Sequence, residues 1–122
     1  LEYTKVERVP VIHCGSLMID PQCYIVTIDD KEINLYLKEF DVLYLLAQHP
    51  GWVLSPEQIY RLIWQEELFG CNHVIYNVVC QLRRKLAEPN IVQTIKGRGY
   101  KLVVKEKGQV YHNRNDTNDS LL

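Results

Sequence analysis

The four cysteines of this 122-residue chain, Cys14, Cys23, Cys71 and Cys80, include no CxxC pair. With no such pair, neither a disulfide framework nor a structural zinc site is suggested. Cys71, His73 and Cys80 are metal ligands by type, but Cys80 lies far along from Cys71 and no fourth ligand stands near, so no metal is expected. No apolar run approaches the ~20 residues of a membrane span, and the opening Leu1-Glu2-Tyr3-Thr4-Lys5 lacks the basic-then-apolar layout of a signal peptide. A cytoplasmic location is the expectation. Also missing is any grouping of a nucleophile with a base, or of two carboxylates across a cleft. Asp29-Asp30 and Glu66-Glu67 read as turn and loop charges, so the chain is not expected to be an enzyme, and no small-molecule cofactor is implied. Nor is there an excess of positive charge: 14 Lys and Arg stand against 15 Asp and Glu, a formal net charge of −1.

What is present is an uneven distribution of that charge. Over residues 83–107 the basic side chains are Arg83, Arg84, Lys85, Lys96, Arg98, Lys101, Lys105 and Lys107, against only Glu88 and Glu106. Most acids lie earlier in the chain. A ligand meets one face rather than the total, so such asymmetry points to nucleic acid or another anionic surface.

The length is that of one domain, with enough apolar content to bury a core without staples. Residues 11–34 are rich in Ile, Val and Tyr with partial alternation, broken by Gly15-Ser16, Asp20-Pro21 and Asp29-Asp30, which predicts a small antiparallel sheet. Residues 38–48 place Phe40, Leu43, Tyr44 and Ala47 at helical spacing, closed by His49-Pro50-Gly51. Ser55-Pro56-Glu57-Gln58 has the form of a capping box before a second helix, with Ile59, Leu62 and Ile63 expected inward. After a loop at residues 66–70, a third helix is expected from its cap Asn72, with Ile75, Val79, Leu82 and Leu86 on one stripe. Residues 1–10 read as a linker or arm, residues 11–107 as the domain, and residues 108–122 as a polar, disordered tail.

At about 100° per residue, His73, Asn77, Cys80, Gln81 and Arg84 point away from that stripe, with Val74 and Tyr76 on its flanks. Asn and Gln can read adenine, Arg can read guanine or clamp phosphate, and Val can pack on a thymine methyl. A basic hairpin around Lys96-Gly97-Arg98-Gly99-Tyr100 follows, its glycines allowing a tight, exposed turn. A groove-reading helix beside a basic hairpin points to double-stranded DNA.

Leu35-Tyr36-Leu37-Lys38-Glu39-Phe40, Ser55-Pro56-Glu57-Gln58-Ile59, Trp64, Leu82-Arg83-Arg84-Lys85-Leu86 and Thr94-Ile95-Lys96-Gly97-Arg98-Gly99-Tyr100 resemble the winged-helix effector domain of OmpR/PhoB-type response regulators. The resemblance covers about residues 11–104, in the family's order and spacing. It implies an α+β winged helix-turn-helix: a four-stranded N-terminal sheet, three helices and a C-terminal β-hairpin, the wing. It also implies sequence-specific DNA binding for transcription regulation, as the output domain of a two-component phosphorelay system. Carried over, the base-reading positions fall on Val74, Asn77 and Gln81, and backbone contacts on Trp64, His73, Arg83, Thr94 and Tyr100. Lys96 takes the place of a wing arginine that enters the minor groove, and Arg84 and Arg98 are added as cations on the helix and hairpin. The RNA polymerase loop falls on Gln65, Glu66, Glu67, Leu68, Phe69 and Gly70. The family's phosphorylated receiver domain is not in this chain, which implies an excised effector domain or a protein switched by other means.

Several positions depart from the family's pattern. Tyr36 stands where a Thr usually caps the first helix, a loss of about 1 kcal/mol. His73 replaces a common Arg, which makes the charge there dependent on pH. Val74 replaces Thr or Ser, Tyr76 an Asp and Gln81 an Arg, so the third helix is less cationic than usual. The resemblance also implies a domain that is monomeric alone and binds as two copies on a direct repeat about one helical turn apart, in keeping with the lack of a long apolar stripe left over for an obligate dimer. The apolar Val74, Val78 and Cys80 motivate an alternative, a winged-helix protein-interaction module that has lost specific DNA reading.

Overall fold

A computed structural model of the chain describes residues 9–65, 72–88 and 90–103. The first four strands, β1 (Ile12–Cys14), β2 (Leu17–Asp20), β3 (Ile25–Ile28) and β4 (Lys31–Ile33), form one antiparallel sheet in the order β1-β2-β3-β4. Alternation sets its register. Leu17 and Ile19 of β2 pair with Ile28 and Val26 of β3, so all four apolar side chains share the buried face. The expected turn chemistries hold each reversal. Asp29 and Asp30 both adopt positive φ, 50° and 66°, the conformation of a two-residue type I′ hairpin. Asp20 Oδ1 accepts from the backbone N–H of Gln22 at 3.0 Å and of Cys23 at 3.3 Å.

Three helices follow, α1 (Leu37–Gln48), α2 (Pro56–Trp64) and α3 (Asn72–Leu86). The capping box of α2 is present in both arms: Gln58 N–H donates to Ser55 Oγ at 3.1 Å and Ser55 N–H to Gln58 Oε1 at 2.9 Å. At α1 the predicted loss is real, since the Tyr36 side chain makes no cap bond. Its backbone N–H nevertheless donates to Glu39 Oε1 at 2.8 Å, and Lys85 Nζ of α3 sits 2.7 Å from the same oxygen and 3.5 Å from the centre of the Tyr36 ring. The tyrosine that fails as a cap thus helps to hold a lysine that ties α1 to α3.

Leu62 is a correction: it is 58% exposed rather than inward. The buried stripe of α2 is centred between Ile59, Tyr60 and Ile63, and Leu62 falls roughly a quarter-turn off that centre. On α3 the predicted stripe holds, with Ile75, Val79, Leu82 and Leu86 all buried. Asn72 is the first helical residue rather than the cap, and the residue before it lies outside the described ones. These side chains meet Val42, Leu43 and Leu46 of α1 in one core that reaches from the sheet to the C-terminal strands.

The last strands, β5 (Val92–Ile95) and β6 (Gly99–Leu102), make the hairpin. It is anchored by a bridge to the segment before α2: Leu54 N–H donates to the Tyr100 carbonyl at 2.8 Å and Tyr100 N–H to the Leu54 carbonyl at 2.9 Å. Gly99 is buried against that segment. A Cβ there would lie 2.0 Å from the Leu54 carbonyl oxygen, so the role expected of Gly99, an exposed turn residue, belongs to Gly97 alone. The expectations placed on residues 1–8, on 66–71 and on the tail lie outside the described residues.

A candidate nucleic-acid interface

The stripe that α3 buries dictates what it turns outward. His73, Asn77, Gln81 and Arg84 are exposed, one turn apart along the helix, whereas Val74 is half-buried and packs on the core. Arg84 Nη2 donates to Gln81 Oε1. Cys80, expected outward, is half-buried, and Tyr76 is the 55% exposed aromatic beside it. A hydrogen bond to the Cys80 thiol holds the Tyr76 phenol above its ordinary pKa.

The Arg83-Arg84-Lys85 run does not act as a block of free charge. Arg83 donates from Nε to the Val92 carbonyl at 2.8 Å and from Nη2 to Thr94 Oγ1 at 2.6 Å, with its guanidinium carbon 5.9 Å from the centre of the Tyr100 ring. Three residues expected at phosphates, Arg83, Thr94 and Tyr100, are thereby brought together, but Arg83 fastens the hairpin to α3. Because the Thr94 oxygen accepts from Arg83, its own proton remains to be donated outward. Tyr100 is buried, which raises its phenol pKa against the opposing pull of Arg83. Lys85 is engaged by Glu39, and Lys101 is buried. Of the three basic residues ending α3, only Arg84 is exposed.

At the hairpin tip Arg98 N–H closes the turn on the Ile95 carbonyl at 2.8 Å, Gly97 adopts φ 75°, and Lys96 and Arg98 are both exposed. Between this tip and the amino ends of α2 and α3 lies an open cleft of about 380 Å³, lined by Pro56, Glu57, Asn72, Tyr76, Thr94 and Arg98 among others. Backbone N–H groups at helix amino ends favour an anion there, and Glu57 is the opposing charge. Asn72 and Tyr76 were not among the predicted site residues. The signal for both was their place in the first turns of α3. Trp64 stands apart at the end of α2, half-buried, stacked on Tyr60 at 4.9 Å with Lys38 Nζ 5.1 Å from its ring centre. Gln65 caps that helix in the left-handed conformation, and the rest of the predicted polymerase loop, Glu66 to Gly70, is outside the described residues. Among the described residues no group of three or more His, Cys, Asp or Glu could hold a metal, and no helix is long and apolar enough to cross a membrane.

Comparison with known proteins places this arrangement. Residues 30–102 match the family described as "Transcriptional regulatory protein, C terminal". The transcriptional regulatory protein CutR of Streptomyces coelicolor is 37% identical over 99 residues, which span 81% of this chain and 46% of CutR. The chain thus spans about half the length of that relative. Among solved structures, the DNA-binding domain of CpxR from E. coli superposes with a TM-score of 0.69 at 32% identity, covering 77% of this chain and 96% of that one. The RstA DNA-binding domain of Klebsiella pneumoniae, crystallised in complex with the RstA box, gives a TM-score of 0.70 at 27% identity, covering 75% and 95%.

Proposed function

The chain belongs to the family of transcriptional regulatory protein C-terminal domains, of the OmpR/PhoB winged-helix type, and on that premise we propose that it binds double-stranded DNA sequence-specifically to regulate transcription. The observation that carries the reading is the outward face of α3: polar side chains at helical spacing, flanked by a hairpin whose exposed tip carries two cations. In this reading α3 enters the major groove, with Val74, Asn77 and Gln81 at base edges and His73 and Arg84 alongside. Lys96 and Arg98 reach the minor groove or the backbone, and Thr94, Tyr100 and Trp64 line the path of the phosphates. Arg83 serves that path indirectly, by holding Thr94 and the hairpin in place.

The wider roles rest on the family. They are output of a two-component phosphorelay, contact with RNA polymerase through residues 65–70, a second copy on a direct repeat, and action in the cytoplasm. Selection of duplexes from a random pool by the full chain, with a salt titration on the enriched site, tests the central claim. The expected result is a recurrent half-site, repeated in the same direction, and affinity that falls steeply as salt rises. If no duplex is retained, or affinity ignores salt, the protein-interaction alternative replaces this reading. Sedimentation showing a stable dimer without DNA removes the tandem model alone.

A further inference from the structure

We propose that Tyr76 is a DNA-backbone contact: its phenol O–H donates to a phosphate of the strand that crosses between α3 and the wing. The inference rests on the DNA-binding reading above. With α3 in the major groove and the hairpin tip at the adjacent minor groove, one sugar-phosphate strand separates the two grooves and passes between the two elements. The open cleft of about 380 Å³ lies there, with Asn72 and Tyr76 on its α3 side and Thr94, Gly97 and Arg98 on its hairpin side. Helical geometry puts Tyr76 on the wing side of α3 rather than among the base-reading positions. Tyr76 and Arg83 are seven residues apart and so within about 20° of each other around the helix, and Arg83 is the residue that bonds β5. Asn77 points about 100° away from Tyr76.

The chemistry of the walls fits a phosphate. A phosphate oxygen only accepts hydrogen bonds, and the α3 and hairpin walls present donors: the Tyr76 phenol, the Thr94 hydroxyl whose oxygen already accepts from Arg83, and the Arg98 guanidinium. The contact with Cys80 does not use up the phenol proton, because a thiol can donate to the phenol oxygen as well as accept from it. Helical side chains lean toward the amino end, which carries the Tyr76 ring toward Asn72 and the cleft. Glu57 on the α2 wall is the one acid among the described lining residues, and it favours a phosphate seated on the side of the donors. Tyr76 is exposed, so the core does not require it. The Asp of the family's pattern offers only acceptors as a carboxylate, so the phenol supplies a donor that an aspartate lacks.

The test starts from the duplex enriched by the full chain and compares the natural chain with Tyr76→Phe, which keeps the ring and removes only the hydroxyl. Tyr76→Phe should bind about tenfold more weakly, the loss of one hydrogen bond to a charged group, on the enriched duplex and on its single-base variants alike. Because the phenol is neutral and its bond is short-range, the salt slope and the enriched sequence should both stay as they are. Duplexes in which single phosphates are replaced, one at a time, by neutral methylphosphonates locate the contact. At one phosphate, on the strand between the major-groove bases and the minor groove at the wing, the losses from the replacement and from Tyr76→Phe should fail to add, whereas elsewhere they should add. Unchanged affinity in Tyr76→Phe, an altered base preference, or losses that add at every phosphate overturns the contact while leaving salt-dependent binding intact. Failure of the natural chain to retain any duplex overturns the DNA-binding reading and this proposal with it.

Discussion

The outward face of α3 and the tip of the wing divide the work of one surface in opposite ways. The helix face is polar but nearly uncharged: of Arg83, Arg84 and Lys85 only Arg84 is exposed, because Arg83 is bonded to Val92 and Thr94 and Lys85 to Glu39. The tip carries two exposed cations, Lys96 and Arg98, on the turn that joins Ile95 to Gly99. Hydrogen-bonding groups without charge discriminate bases and add little general attraction, whereas cations attract every sequence alike. On the proposed DNA-binding reading, the comparison assigns affinity and specificity to separate elements joined by Arg83, so that each can be altered without the other.

The largest effect should come from breaking the wing itself. Gly99→Ala places a methyl into the Leu54 carbonyl and forces an alanine to φ 155°, so a loss of about 2–5 kcal/mol is expected from overpacking and backbone strain together. Gly97→Ala, at φ 75° with nothing within 4 Å of its Cβ, should lose only about 1 kcal/mol. Urea denaturation of the two variants measures the gap. Equal losses would mean that the wing is not anchored through Gly99.

Next in size is the joint between the two regions. Arg83→Ala removes two hydrogen bonds from a charged donor and should lower stability by about 2 kcal/mol. Arg84→Ala, one residue on and exposed, should change stability by less than about 0.5 kcal/mol. If Arg83→Ala weakens DNA binding with stability unchanged, the arginine contacts phosphate directly and the joint described above is wrong. Smaller again are the tip cations. Lys96→Ala and Arg98→Ala should each weaken binding to all duplexes and reduce the salt slope by roughly one unit, with the enriched sequence unaltered. A changed base preference in either would move reading onto the wing.

How much of this was legible in the chain follows from the range of the forces involved. The β2–β3 register, the α2 box and the α3 stripe rest on neighbours in sequence, so period and turn chemistry suffice to place them. Leu62 was misplaced because steps of three and four from Ile59 fall on opposite sides of it, and only packing selects the side of Tyr60 and Ile63. The fates of Arg83, Arg84 and Lys85 were not legible at all. Adjacent basic residues read alike whether the partner is a phosphate, a carbonyl on β5 or Glu39 in another helix. The loss of the cap at Tyr36 was visible, but its link through Lys85 was not, since that contact joins elements 46 residues apart. At the interface, the residue types and their spacing came from the sequence, while the occupation of Arg83 by the wing and of the Gln81 oxygen by Arg84 needed three dimensions.

The smallest expected effect sets one tyrosine from each region against the other. Both Tyr76 on α3 and Tyr100 on β6 have phenols raised above the ordinary value, but for different reasons: a hydrogen bond to Cys80 for Tyr76, and burial for Tyr100. A group whose folded pKa is raised favours the folded state below its unfolded pKa, and that contribution is lost as pH climbs through the folded one. The loss for Tyr100 should therefore begin above the ordinary phenol value near pH 10, and Tyr100→Phe should flatten the fall of stability with pH in that range. Tyr76 is exposed and its shift hangs on one thiol, so Cys80→Ala should let its phenol titrate lower, with a lesser fall at Tyr100, which Cys80 also raises. Absorbance titration of the two Phe variants, with and without Cys80→Ala, separates the signals. If Cys80→Ala moves neither phenol, the Tyr76–Cys80 contact does not persist in solution.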